Sequence, residues 1–305
     1  MKILKIVLCV LVIIVMFGIS ILNIPGNISG NAIQVFKLPP IPASSSEVDV
    51  HLLKTGYISV PEAFTIAQGS LFKNFEMVHG AVLVTHGSDS FLFDTGLGEQ
   101  IDQQFEIDMP FWLKPFMTYK KSLSAADIIK SNPKYSQPSH VFLSHSHWDH
   151  ASGLVDFPDA SVWVSSQEYD YLKMAQPPSV FPSQVRSHKI NWQSYQFNDG
   201  AYAGFDTSFD IFDDGTAVIV DLAGHSPGSI GLFVNDKSGI RRFFVGDAVW
   251  NLDAIRHLKR KSWVASLILD HNEGATDNTI IKLNSLINQN PELKIIPAHD
   301  LRAWY

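Results

Sequence analysis

The stretch Ser144-His145-Ser146-His147-Trp148-Asp149-His150 decides how this chain is read. It follows Val141, Phe142 and Leu143, which read as a buried strand, so the stretch is a loop at a strand end. An extended segment sends alternate side chains to one side, so His145 and His147 can grip one ion. Asp149 and His150 then turn away and can serve a neighbouring ion. Neutral imidazole and carboxylate suit zinc, iron or manganese. The competing reading is a polar loop with coincidental histidines. Four ligand-type residues packed this tightly argue against it.

Three more ligand types stand at later strand ends. His225 lies in Gly224-His225-Ser226-Pro227-Gly228, after an apolar run at 217–220. Asp247 follows Phe243-Phe244-Val245, and His299 follows Ile295-Ile296 in Pro297-Ala298-His299-Asp300. Each alone would be an ordinary loop residue. Together with the first cluster they make seven candidate ligands.

His145, His147, Asp149 and His150 resemble the HxHxDH signature of the metallo-β-lactamase superfamily, and His225, Asp247 and His299 match its later metal positions in order. Residues 91–96, ending in Asp94-Thr95-Gly96, resemble its early strand and DTG loop. The resemblance covers roughly residues 48–299. It implies an α+β fold, a four-layer αββα sandwich with the site at one edge. It implies one ion held by His145, His147 and His225, a second by Asp149, His150 and His299, and Asp247 bridging both. Asp94 would orient a ligand histidine. Two divalent ions, zinc first with iron or manganese as alternatives, would hold a bridging hydroxide near neutral pH. That hydroxide attacks a carbonyl or phosphoryl centre, with Asp149 and Asp247 as the catalytic carboxylates and Asp149 a candidate proton shuttle.

Within the superfamily, Asp247 differs from the cysteine or serine usual in true β-lactamases. No long C-terminal segment follows His299, unlike the glyoxalase-II type. The pattern around His147-Trp148-Asp149-His150-Ala151 is similar to the branch of N-acyl-homoserine lactone lactonases and organophosphate hydrolases. A small-molecule lactone or carboxylic ester is the expected substrate. A phosphotriester or phosphodiester is the alternative, and a non-catalytic membrane-tethered protein of the same fold is the reading from another class. One departure stands out: where lactonases carry a tyrosine three residues after the bridging aspartate, this chain has Trp250. Indole donates a hydrogen bond but is no acid.

A net charge of −7 without a basic stripe speaks against a nucleic-acid partner. The densest basic run, at 256–261, reads as a solvated loop or helix face. Cys9 is the only cysteine, so the body has neither disulfides nor a thiolate ligand. Lys2 and Lys5 precede an uncharged apolar run at 6–22, so residues 1–23 read as a hydrophobic helix, either a signal-anchor or a cleaved signal peptide. The catalytic domain then lies outside the cytoplasm, membrane-anchored or exported. Residues 24–47, rich in Pro, Ser, Asn and Gly, read as a linker, and 48–305 as the hydrolase domain.

Apolar runs at 81–84, 91–93, 141–143, 161–164, 217–220, 230–234, 242–245 and 293–296 read as strands. Helices are expected from a Ser124 cap to about 130, at 167–174 and at 279–288. Phe105, Phe111, Trp112, Phe116 and Tyr119 could line an acyl pocket, support a homodimer, rest on a membrane or cover the core. His51, His79, His86, His140, His188, His257 and His271 read as ordinary surface or structural residues.

Overall fold

Strand residues alternate between two apolar layers, and that alternation builds the molecule. The computed structural model describes Gly18, Ser20, residues 24–30 and residues 35–304. The first sheet has seven strands: β1 (Val48–Pro61), β2 (Asn74–His86), β3 (Asp89–Phe93), β4 (Lys120–Lys121), β5 (His140–Phe142), β6 (Ser161–Ser165) and β7 (Asn191–Tyr195), in the order β4-β1-β2-β3-β5-β6-β7. The second has five: β8 (Ser208–Asp210), β9 (Ala217–Asp221), β10 (Ile230–Asn235), β11 (Arg241–Phe244) and β12 (Leu293–Ile296), in the order β12-β11-β10-β9-β8. The β3–β5, β5–β6, β6–β7 and β11–β12 pairs are parallel and the rest antiparallel.

On β2, Val82 and Val84 face the second sheet, whereas Leu83 faces the outer helices. On β10, Ile230, Leu232 and Val234 face the first sheet and Phe233 faces outward. A period of two is what a strand buried on both faces requires. The outer face of the first sheet is covered by α2 (Ala125–Ser131) and α4 (Ser166–Met174) through Ile129 and Leu172. The outer face of the second is covered by α6 (Leu252–Arg256) and α8 (Glu273–Gln289) through Ile255, Ile280, Leu283 and Leu286. Four layers result, helix–sheet–sheet–helix. Further α-helices are α1 (Ile101–Asp108), α3 (Trp148–Ala151), α5 (Pro182–Val185), α7 (Trp263–Leu269) and α9 (Leu301–Trp304).

Ser124 caps its helix as expected, and Asp127 completes a reciprocal capping box with it. Long β1 was not legible, because Lys54 and Thr55 interrupt its alternation and a register shift falls between Lys54 and Gly56. Helix α8 begins at Glu273, capped by Asn272, six residues before the expected start. Its first two turns are polar and show no apolar period.

The expected hydrophobic helix at 1–23 lies outside the described residues, apart from Gly18 and Ser20. Among the described residues no helix is long and apolar enough to cross a membrane. Within 24–47, where the sequence reads as a linker, Ile28, Phe36 and Leu38 are buried against the second sheet's outer face. Asn27 bridges to Lys259, and the Phe36 amide donates to Gln289 Oε1 at 2.9 Å. Burying one phenylalanine contributes about 1.5–3 kcal/mol, enough to dock a segment whose composition is that of a linker.

Candidate metal centre

The seven candidate ligands converge at one edge, past the C-terminal ends of β5, β9, β11 and β12. Residues 143–147 leave β5 as a loop, and His147, itself extended, is the N-cap of the single turn α3. That turn carries Asp149 toward His299, while the His150 ring stays 4.1 Å from that of His145, with which and Asp247 it forms a further possible ligand group. Gly224 and Gly246 precede two of the ligands at positive φ (146° and 51°). A Cβ on Gly224 would come within 2.5 Å of the Thr276 backbone nitrogen, so only glycine lets this loop close on α8.

His145, His147 and His225 form one potential ligand group, with ring centroids 4.5–4.8 Å apart. Asp247 lies between this group and the rest. Its Oδ2 is 3.5 Å from His225 Nε2, and its Oδ1 is 3.2 Å from both His150 Nε2 and His299 Nε2. Asp149 Oδ2 is 3.3 Å from His299 Nε2.

The outer nitrogens of four histidines are anchored. His150 Nδ1 donates to Asp94 Oδ2 at 2.8 Å, His225 Nδ1 to Asp270 Oδ1 at 2.7 Å and His299 Nδ1 to the Val78 carbonyl at 2.7 Å. His145 Nδ1 meets Ser144 Oγ at 2.9 Å, and Ser144 itself donates to Asp94. Asp94 sits at φ 60° with its amide on the Phe142 carbonyl, so its carboxylate reaches under the loop. Anchoring Nδ1 selects the tautomer that leaves Nε2 free for a metal.

Those free atoms are the test of fit. Nε2 of His145, His147, His150 and His225, together with Asp247 Oδ1, is buried without a hydrogen-bond partner. Buried polar atoms are rarely left so, since each costs about 1–3 kcal/mol. Five of them converging is the signature of a metal donor set, and the nitrogen–carboxylate chemistry fits divalent zinc, iron or manganese. Electrostatics divide the histidines: burial opposes charge on His150 and His299, but Asp94 beside His150 and Asp247 beside both outweigh it and hold these two above the usual histidine range. Burial and neighbouring imidazoles hold His145 and His147 well below the usual histidine range, hence neutral. Burial opposes charge on Asp247, yet His299 and His150 outweigh it and keep it well below the usual carboxylate range.

Three residues that the sequence reading passed over belong here. His79, read there as ordinary, is buried, with Nδ1 3.1 Å from Asp149 Oδ2, and groups with Asp149 and His299 as a possible ligand set. Lys261, at the end of the run read as solvated, is fully buried, its Nζ 2.7 Å from Asp270 Oδ1. The run is basic in composition, but this lysine is needed inside to pair the carboxylate that holds His225. Glu168 at the start of α4 accepts from Ser146 N and Oγ at 2.7 and 2.6 Å, and from Ser226 Oγ and Gly228 N at 2.6 and 3.1 Å. It ties the His145–His147 loop to the His225 loop. Only a carboxylate expected in the first turn of a helix could have hinted at this.

The aromatic stretch divides. Phe105 and Tyr119 pack on buried Trp148, which stacks on Phe181 at 5.6 Å. Phe111, Trp112 and Phe116 are 84%, 57% and 76% exposed.

A metallo-beta-lactamase superfamily model matches residues 77–299. The N-acyl homoserine lactonase AttM of Azorhizobium caulinodans is 28% identical over 172 residues, covering 54% of this chain and 59% of the relative. AttM of Agrobacterium fabrum is 26% identical over 171 residues, with the same coverage of 54% and 59%. The chain thus spans about three fifths of the length of the curated relatives it matches. An N-acyl homoserine lactone hydrolase, solved with N-hexanoyl-L-homoserine at its catalytic metal centre, superposes with a TM-score of 0.64 at 16% identity, covering 83% of this chain and 93% of that one. AidC, a dizinc quorum-quenching lactonase, gives 0.56 at 18% identity, covering 88% and 92%. At such identities the structures speak for the fold alone. The family match runs over well over half of the sequence, from the strand that carries His79 to the last ligand position, His299, and the chain belongs to the metallo-β-lactamase superfamily.

Proposed function

We propose that this chain is a dinuclear metal-dependent hydrolase that opens a lactone or carboxylic ester of a small molecule. One observation carries the reading: five buried donor atoms without partners converge at the edge where the opposite nitrogens of His145, His150 and His225 are anchored. His145, His147 and His225 would hold one cation, Asp149, His150 and His299 the other, with Asp247 between them. Bound there, two divalent cations would polarise the scissile carbonyl and make water nucleophilic near neutral pH.

The chain's own residues do the rest. Asp94, Asp270 and the Val78 carbonyl keep the imidazoles in one tautomer. Buried Trp148, backed by Phe181, closes one wall beside the ligands. Among the carboxylates at the centre Asp149 has the greatest side-chain exposure, 11% against 4% for Asp247 and 6% for Asp94. It is therefore the group placed to pass a proton to the departing oxygen. Phe111, Trp112 and Phe116 offer apolar surface for an acyl chain. The likeness to AttM favours a lactone over a phosphotriester.

The test is metal analysis coupled to turnover on the full chain. About two ions per chain, with hydrolysis of a lactone or ester lost in His147→Ala, is the expected result. A chain that holds two ions yet turns over no lactone, ester or phosphotriester would sink the hydrolase reading. We further propose that residues 1–23, with Lys2 and Lys5 before an uncharged apolar run, hold the domain at or send it across a membrane. Recovery of the full chain in the soluble cytoplasmic fraction would refute that.

A further inference from the structure

His79 stands in the middle of β2, away from the strand ends that carry the seven family ligands. Its neighbour Val78 is tied twice to the last ligand: the Val78 amide donates to the His299 carbonyl at 3.1 Å, and His299 Nδ1 donates to the Val78 carbonyl at 2.7 Å. The His79 carbonyl accepts from Thr55 Oγ1 at 3.1 Å. The backbone at this point is therefore fixed relative to the centre. The imidazole crosses to α3, where Nδ1 lies 3.1 Å from Asp149 Oδ2. The ring sits 5.2 Å from that of His299 and 6.0 Å from that of Trp148.

The side chain is costly to the fold. It is only 5% exposed, and its Nε2 is buried without a partner. An apolar residue would fill the same space without an orphaned nitrogen. What an apolar residue lacks is the N–H directed at Asp149.

A direct bond from His79 to a cation is disfavoured by count. Asp149, His150, His299 and Asp247 already surround the second position, and a catalytic metal must keep a place open for substrate or water. A donor to the carboxylate leaves that place free and stops the carboxylate from rotating. We propose that His79 is a positioning residue that clamps Asp149 through Nδ1–H and thereby sets the affinity of the second metal position. The assignment rests on the dinuclear reading above.

The experiment titrates metal-free full-length protein with Co²⁺, following heat and visible absorption, for wild type, His79→Phe and His79→Asn. Phenylalanine keeps the ring and drops both nitrogens. Asparagine can place an amide donor where Nδ1 stood. His79→Phe should bind the first ion as wild type does and the second about 10–100-fold more weakly, the usual cost of losing a hydrogen bond to a metal ligand. His79→Asn should recover most of the loss. The fully loaded variants should show the wild-type cobalt spectrum, because the ligands are unchanged. If His79→Phe does not fold, His79→Ala takes its place with the same expectation. Equal second-ion affinity in wild type and His79→Phe would overturn the assignment alone. So would an altered spectrum in the loaded variant, which would make His79 a ligand. A wild-type chain that takes up fewer than two ions would instead overturn the dinuclear reading, and this assignment with it.

Discussion

The indole Nε1 of Trp250 donates to Asp247 Oδ2 at 2.7 Å. The residue standing in the place of the lactonase tyrosine thus spends its only polar atom on the carboxylate between the two ligand groups. Trp250 holds Asp247 as His79 holds Asp149, and its N–H is not available to a substrate carbonyl. Trp250→Phe should weaken metal binding about tenfold or more and lower kcat/KM in parallel, since Asp247 faces both positions. Calorimetric metal titration beside lactone kinetics checks this. Unchanged affinity with a raised KM would mean that the indole serves the substrate instead.

Lys261 and Asp270 form an ion pair whose side chains are 0% and 1% exposed, with His225 Nδ1 and Ser266 Oγ on the same carboxylate. Burial opposes the charge on Asp270, but Lys261 and His225 outweigh it and keep it below the usual carboxylate range. Lys261→Met strands that carboxylate, and breaking a buried pair costs about 3–5 kcal/mol. Adding Asp270→Asn should recover part of the loss. Denaturant unfolding of the single and double variants decides it, and additive losses would show that the two residues are not coupled.

Glu168 receives four donors from two ligand loops, two on each oxygen. In Glu168→Gln one oxygen becomes an amide NH₂ facing donors. One or two buried donors are then unsatisfied at about 1–3 kcal/mol each, so a loss of roughly 2–4 kcal/mol is expected. The first metal position should weaken as well, because His145, His147 and His225 sit on the untied loops. A variant as stable as wild type would show that the loops hold without the tie.

Asp156 offers a pH signature away from the metal centre. Its Oδ2 accepts the Glu99 amide at 2.9 Å, yet burial, helped by the Glu99 charge, pushes the carboxyl up to about 6. A carboxyl raised in the folded state favours the protonated form. Its contribution is present below the unfolded value near 4 and is lost as pH rises through 6. The melting temperature of wild type relative to Asp156→Asn should therefore fall between pH 4 and pH 7 and stay level above. A difference that is flat across this range would contradict the raised value.

The local part of this protein is written in the sequence. His145, His147, Asp149 and His150 fall within six residues, so a single loop brings all four to one edge. Strands of alternating or continuous apolar character were legible too, and with them the strand-end places of His225, Asp247 and His299. What only the tertiary structure decided is who supports these ligands. His79 meets Asp149 from 70 positions away, and Glu168 meets Ser226 from 58. A side-chain period tells which face of a strand or helix is buried, but not what lies opposite it. A lone buried histidine, lysine or glutamate carries no period at all, so its role exists only once two sheets have been packed and the loops at their edge have closed.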